Sequence, residues 1–525
     1  MVAPADPISR RSVLSGGLVL ATGAVISGVS GTGGANGAIR SDPFTLGVAS
    51  GDPSARGFVL WTRLATDPLA ENGLGGLSAS SVRVDWQLAK DEKFRHIVRS
   101  GRYTTTPYRG YAVHVELRGL QPAATYFYRF RYNGYLSPTG RTRTAPLPGS
   151  KAPMSMAFTS CAMWEHGWFT AYRHLAQEDP DLILNLGDYI YEYGPGGYVA
   201  PSGIVRLFAG PQITTLAGYR QRYAQYHTDR DLQAAHAVAP WVVVLDDHEV
   251  ENNWAGDFSS EGESYQQFMR RRAAAFRAYY ENLPLRRSSI PDGPDMQLYR
   301  RIRWGDLATF HMLDTRQFRD KQPCPGGPPV DCPDRWLPNR TITGTQQEAW
   351  LLNGLSTSPT IWNIVGNQVF FSQRDLFDGP RVAYGRDGWD GYAVERNRIV
   401  ARMQQLNVRN PVILTGDVHK HFACNVIRNF DDPESAIVAT ELVGTSITSN
   451  GDGGGRSLDN IVAQVASNPW IVYADDRRGY VMTRIHPDHM DVAYRVVQYV
   501  SRRGAPLQTG ARFVVLDGRP GLDLA

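Results

Sequence analysis

The run Trp241-Val242-Val243-Val244-Leu245-Asp246-Asp247-His248-Glu249-Val250 decides how this chain is read. Five apolar residues in succession have the length and composition of a buried strand. That strand empties into two aspartates, a histidine and a glutamate. Burying such groups unpaired costs on the order of several kcal/mol each, and a metal cation is the most direct compensation. The pattern recurs twice. Residues 181–191 form an apolar run ending in Gly187-Asp188, with Tyr191 three residues on. Residues 411–419 form another, ending in Gly416-Asp417-Val418-His419. Three strand ends loaded with oxygen and imidazole donors argue for one polynuclear metal site. It belongs outside the carboxyl ends of a sheet, where open α/β folds bind ligands.

At 525 residues the chain exceeds one ordinary domain. Its 42% hydrophobic and 20% charged residues are those of a globular protein. A formal net charge of +4 is too small for this length to imply a nucleic-acid or membrane partner. Residues 1–38 read as a targeting segment. Arg10-Arg11 precede a mildly apolar, glycine-interrupted stretch from Val13 to Val29, too weakly apolar for a stable membrane span. A twin arginine there predicts export by the twin-arginine machinery, which carries folded and metal-loaded passengers, to a secreted, wall-associated or periplasmic location. Cys324 and Cys332 flank a Pro/Gly-rich loop that a disulfide would close after export. Cys424 lies in an apolar run and reads as core.

From 43 to 146 the pattern is short, alternating and turn-rich, which predicts an all-β sandwich of immunoglobulin or fibronectin type. Leu117-Arg118-Gly119-Leu120-Gln121-Pro122 leads into a tyrosine-corner segment in which Tyr126 or Tyr128 supplies the hydroxyl. Metal-binding side chains do not concentrate here, so this is a supporting domain. After a Pro-rich linker, strands are expected at 154–159, 181–186, 307–313 and 361–369. Helices are expected at 170–178, 216–226, 270–282 and 394–406. The alternation predicts a layered α/β domain with mixed sheets over 152–525.

The order Ser160-Cys161, Gly187-Asp188-x-x-Tyr191, Asp246-Asp247-His248-Glu249, Gly416-Asp417-Val418-His419 resembles the PhoD-like alkaline phosphatase family, related in fold and site to purple acid phosphatases. The resemblance extends over essentially the whole chain, including 44–53, Leu313-Asp314-Thr315-Arg316, Trp389-Asp390-Gly391-Tyr392 and 441–448. Each motif alone is a weak signal. Their order and spacing make a strong one.

Phosphate-ester hydrolysis needs a nucleophile, usually metal-bound hydroxide, and positive charge against the developing trigonal bipyramid. Asp188, ending a buried strand, is the expected bridge between ions. A phenolate from Tyr191 and a thiolate from Cys161 suit a trivalent ion such as ferric iron. Asp247 and Asp417 offer oxygen only, which suits calcium. The resemblance implies Fe3+ on Cys161, Asp188, Tyr191 and His419, and Ca2+ on Asp188, Asp247 and Asp417. His248 corresponds to the histidine that meets the phosphate in metallophosphoesterases and is the expected catalytic residue. Asp246 and Glu249 are expected behind it, orienting His248 or a ligand. The sequence departs from the family pattern at Leu245, where an aromatic is common, and at Ala162, which follows Cys161 in place of Gln. Taken singly, Cys161 reads as a core thiol, Tyr191 as a core aromatic and Asp247 as a helix cap. Asn185 and Asn367 read as strand-end hydrogen bonders. His166, Arg316 and Arg477 read equally as phosphate contacts or as structural groups.

The resulting expectation is an exported phosphoric ester hydrolase acting on small or polymeric phosphomonoesters and phosphodiesters at alkaline pH. A phospholipase D-like phosphodiesterase on the same scaffold is the second reading. A non-catalytic wall- or glycan-binding protein is the third, against which the intact ligand set argues.

Overall fold

The computed structural model describes residues 41–525 apart from 326–329, 331, 378 and 455. The expected export segment, 1–38, lies outside the described residues. The apolar runs that end in acid form neighbouring strands. Met154–Thr159, Leu182–Asn185 and Pro240–Val243 pair in parallel near the centre of a ten-stranded sheet, with Asn185 level with both Thr159 and Val243. Every residue of the latter two strands is buried, as a continuous apolar run between packed layers requires.

The third run, Pro411–Thr415, lies parallel between Trp362–Gly366 and Ile437–Val443 in a seven-stranded sheet. Here the side chains alternate between two cores. Ile364, Val412 and Leu414 join Phe158 and Leu184 of the ten-stranded sheet. Val365, Ile413 and Val443 join Leu351 and Leu355 of the helix Gly344–Thr357 and Ile399 and Met403 of the helix Ala393–Gln405. The seven-stranded sheet therefore packs one face on the other sheet and one on these helices. Helices Thr170–Gln177, Leu216–His227, Arg230–Val238 and Tyr265–Asn282 add to the first core. This is the layered α/β architecture with mixed sheets that the alternation predicts. The expected elements form within three residues of their bounds, except that the helix expected at 270 starts at Tyr265, behind a Ser264–Gln267 capping box.

The amino-terminal strands do not close on themselves. Val48–Ser54, Gly57–Arg63 and Ala112–Leu117 extend the ten-stranded sheet, Val48–Ser54 pairing in parallel with Pro240–Val243. Val82–Ala89, Ile97–Thr105, Thr125–Tyr132, Tyr135–Leu136 and Gly140–Arg143 form a separate five-stranded sheet. Phe58, Leu60 and Val113 meet Val84, Leu88, Tyr128 and Phe130 in the core between them. One of the two sheets of this segment is shared with the rest of the chain, so the expected self-contained sandwich is not what forms. The corner hydroxyl belongs to Tyr126, which accepts from the Gln121 N–H at 3.0 Å. Cys324 and Cys332 are bonded, and Cys424 is a buried free thiol.

Candidate metal centre

The strand ends turn sharply. Cys161, Asp188, Asp417 and His419 all adopt left-handed backbone, with φ of 60°, 53°, 62° and 55°. That conformation costs a non-glycine residue roughly 1–2 kcal/mol and concentrates at functional sites. Gly187 lies at φ 111°, and a Cβ there would stand 2.3 Å from the Asp246 Cβ. Only glycine lets two acid-bearing strand ends approach so closely. Across the sheets, the Gly416 Cα faces Ser160, where an added Cβ would meet the serine Cβ at 2.9 Å.

These turns bring the expected ligands together. The Cys161 thiol, an Asp188 carboxylate oxygen and a His419 ring nitrogen lie within 4.8 Å of one another. So do donors from Asp188, Asp247 and His248, and donors from Asp246, Asp247 and Asp417. Asp188 joins the first group to the second, and Asp247 joins the second to the third. The Tyr191 hydroxyl is 3.0 Å from Asp188 Oδ2, 3.2 Å from His419 Nε2 and 2.6 Å from Ser449 Oγ.

Charge balance tests whether the set suits metal ions. Asp188 Oδ1, Asp246 Oδ2 and Asp247 Oδ1 are buried with no hydrogen-bond partner. Burial, reinforced by neighbouring acids, holds the Asp188 and Asp417 carboxyls well above the usual range. Burial and then Asp188 push up the Cys161 thiol and the Tyr191 phenol. Burial, with Arg478 and His248 nearby, lowers His419 to about 3, so its imidazole is neutral with a free lone pair. Orphaned carboxylate oxygens, a suppressed thiol, a suppressed phenol and a neutral imidazole fit cations, which remove the cost of ionising all of them.

His248 is held by a residue that sequence reading misses. Its Nδ1 lies 2.7 Å from Glu192 Oε2, while Glu192 Oε1 accepts from the Asn252 N–H at 2.8 Å. Burial alone would lower the His248 pKa, but Asp247, Glu192 and Asp188 together raise it well above the ordinary value. The ring lies 4.1 Å from that of Tyr191 and 5.4 Å from that of Tyr193.

Asp246 and Glu249 hydrogen-bond to other groups than His248. Glu249 accepts from the backbone N–H groups of Asp188, Tyr189 and Asp246 at 3.2, 2.6 and 2.8 Å, clamping two strand ends. Asp246 accepts from Arg316 Nε at 2.5 Å, and Arg316 makes a forked pair to Asp387 at 3.0 and 2.7 Å. Arg316 is fully buried, with its charge set against Asp246 and Asp387. Asp247 accepts from the Asn253 N–H at 2.7 Å.

The weaker candidates have structural partners. Asn185 accepts from the Gly187 N–H, Asn367 from the Trp389 indole, and His166 bonds Tyr198 O and Asn450 N. Arg477 pairs with Asp475. Glu192 and Asp387 carry no motif signal. Their one clue is proximity in sequence, Glu192 four residues past Asp188 and Asp387 two before Trp389.

Residues 156–494 match the family model described as PhoD-like phosphatase, and residues 31–146 the one described as PhoD-like phosphatase, N-terminal domain. The chain is 48% identical over 485 residues to alkaline phosphatase D of Bacillus subtilis (strain 168), covering 92% of this chain and 82% of that protein. It is similar to the solved structure of PhoD, with a TM-score of 0.89, 47% identity and 93% of each chain covered. Purple acid phosphatase PPD1 from yellow lupin (Lupinus luteus) seeds shares the fold, with a TM-score of 0.51 at 12% identity over 89% of this chain and 74% of that one.

Proposed function

The chain belongs to the PhoD-like phosphatase family, and from that premise we propose that it is a metal-dependent alkaline phosphatase and phosphodiesterase. The observation that carries the reading is the pair of buried oxygens without a hydrogen-bond partner on Asp188 and Asp247, beside Cys161, Tyr191 and His419. Cys161, Asp188, Tyr191 and His419 would hold Fe3+, and Asp188, Asp247 and Asp417 would hold Ca2+. When bound, such ions supply positive charge against the anionic transition state and acidify water. The chain's own contribution is orientation and proton control. Glu192 engages His248 Nδ1, which leaves Nε2 to meet a phosphate or leaving-group oxygen and to hand it a proton. Tyr191 and Tyr193 wall the His248 ring. Arg316 offsets Asp246 and Asp387, so that acid not spent on metal is neutralised inside the protein.

The test is release of nitrophenolate from a chromogenic monoester and diester at alkaline pH, before and after chelation. Turnover of both, lost on chelation and restored by iron with calcium, is the expected result. Turnover unaffected by complete metal removal overturns the proposal.

A phospholipase D-like preference is supported by one observation. The segment that starts at Tyr193, beside His248, continues through the exposed aliphatic residues Val199, Ile204 and Leu207. Comparing phosphatidylcholine with the chromogenic esters separates the two. Export through the twin-arginine route, a secreted or wall location and a supporting immunoglobulin-like role for 43–146 complete the proposal. Among the described residues no helix is long and apolar enough to cross a membrane.

A further inference from the structure

We propose that the hairpin joining Arg478–Ile485 to His489–Val497 carries a separate site for one borderline divalent transition ion, with Zn2+ as the reference case, built by His486, His489 and Asp491. The hairpin lies at the opposite end of the sheet from the candidate metal centre. Ile485 is level with Met154, whereas the centre begins beyond Thr159 of the same strand, about 17 Å further along at the usual strand rise.

The backbone sets the three donors on one face. His489 and Asp491 are two apart on a strand and point the same way. The His486 N–H donates to His489 O at 2.8 Å, and the His486 carbonyl accepts from the Trp362 indole at 2.7 Å, which fixes the turn. Asp491 Oδ2 stands 3.6 Å from His489 Nε2 and 3.9 Å from His486 Nε2. Tetrahedral Zn2+ with bonds of about 2.0–2.2 Å holds its donors roughly 3.3–3.5 Å apart, so both carboxylate–imidazole distances need shorten by only a few tenths of an ångström. The two imidazoles stack with centroids 4.5 Å apart and planes 9° apart. Each ring must therefore turn about its Cβ–Cγ bond to aim its lone pair at a common point. Side chains that are 34% and 32% exposed leave room for that rotation.

A fourth residue supports the assignment independently. Asp488 Oδ1 lies 2.9 Å from His489 Nδ1. A carboxylate hydrogen-bonded to the ring nitrogen away from the ion is the arrangement that orients metal-binding histidines. Two imidazoles and one carboxylate favour Zn2+, Cu2+ or Ni2+ over Ca2+ or Mg2+. Arg484 is opposite Asp491 in the ladder, and its charge limits the affinity. The remaining coordination position is open to water.

The experiment uses the full chain with its native metals in place. Zn2+ uptake is measured by equilibrium dialysis at pH 7.5, in the parent, in a His486→Asn/His489→Gln double variant and in Asp488→Asn. The parent should take up one more equivalent of Zn2+ than the double variant at pH 7.5. Asp488→Asn should weaken it about 10-fold or more. Chromogenic-ester turnover without added Zn2+ should be unchanged in all three. Equal Zn2+ uptake by parent and double variant overturns the proposal, as does uptake that tracks loss of turnover alike in both, which would place the ion at the candidate centre.

Discussion

At the scale of single residues, the proposed function makes His248 the place where chemistry and metal binding separate. Its Nδ1 is taken by Glu192, so its contribution comes through Nε2. His248→Asn should lower turnover by about 10²–10⁴-fold with metal content retained, and more for alkyl phosphates than for nitrophenyl esters if the ring protonates the leaving group. Glu192→Gln should act through the same ring. The double variant should then be no slower than His248→Asn alone, since the two residues work as a unit. Additive losses would mean that Glu192 has a separate task. If His248→Asn strips the metal, the ring is a ligand, as its grouping with Asp188 and Asp247 permits. Tyr191→Phe tests the other side of the site. A phenolate on ferric iron absorbs visible light, so the parent should be coloured and the variant should lose the band while keeping its fold; a colourless, iron-free, fully active parent would contradict the roles of Cys161 and Tyr191. Asp188, Asp247 and His419 were legible as candidates because each sits where an apolar run ends in a group that needs compensation, whereas Cys161, a core thiol when taken singly, became a candidate only through the resemblance. Glu192 and Asp387 were not, because a buried acid between ordinary neighbours announces itself only through the partner that the fold brings to it.

At the scale of elements, the strand ends are held by close backbone approach. Gly187→Ala would force a Cβ against Asp246 in left-handed backbone, whereas Gly134→Ala meets the same backbone penalty with nothing within 4 Å. Gly134→Ala should cost about 1–2 kcal/mol of stability and leave turnover intact. Gly187→Ala should cost more and lower turnover by about 10²-fold or beyond, since it displaces Asp246 and Asp188 together. Thermal unfolding and nitrophenyl ester kinetics check both, and equal behaviour of the two variants would contradict the close-approach account. Strands such as Met154–Thr159 and Ala308–Met312 lie within a residue of the bounds that the apolar runs indicate. Helices Arg230–Val238 and Gly344–Thr357 escape that reading. The first is short and starts on its Asp229 cap, and the second opens with four residues that lack an apolar stripe.

At the scale of the whole molecule, the amino-terminal strands are tied to the catalytic part by buried hydrogen bonds onto the end of the helix Tyr265–Asn282. The Trp61 indole donates to Glu281 O at 3.0 Å, Arg63 reaches Asn282, and His114 Nε2 meets Leu283 O at 2.9 Å. That junction is invisible in sequence, because it depends on which sheet the amino-terminal strands join. It also predicts a pH dependence. Burial lowers His114 to about 4, below its unfolded value of about 6.5. A depressed pKa means that the unfolded chain binds the proton first. The contribution of neutral His114 is therefore complete above pH 6.5 and lost as pH falls toward 4, at most about 3 kcal/mol. His114→Gln should flatten the fall of Tm with pH across that window, relative to the parent at equal metal content; an unchanged slope would remove His114 from the account. The central claim is that one carboxylate, Asp188, joins two kinds of metal ion in a single site. The most direct measurement is elemental analysis of purified parent and Asp188→Ala proteins of matched fold, together with their turnover. The parent should contain iron and calcium, and Asp188→Ala should lose both along with activity. Retained metal with turnover within about tenfold of the parent, a barrier change under about 1.4 kcal/mol, would contradict it.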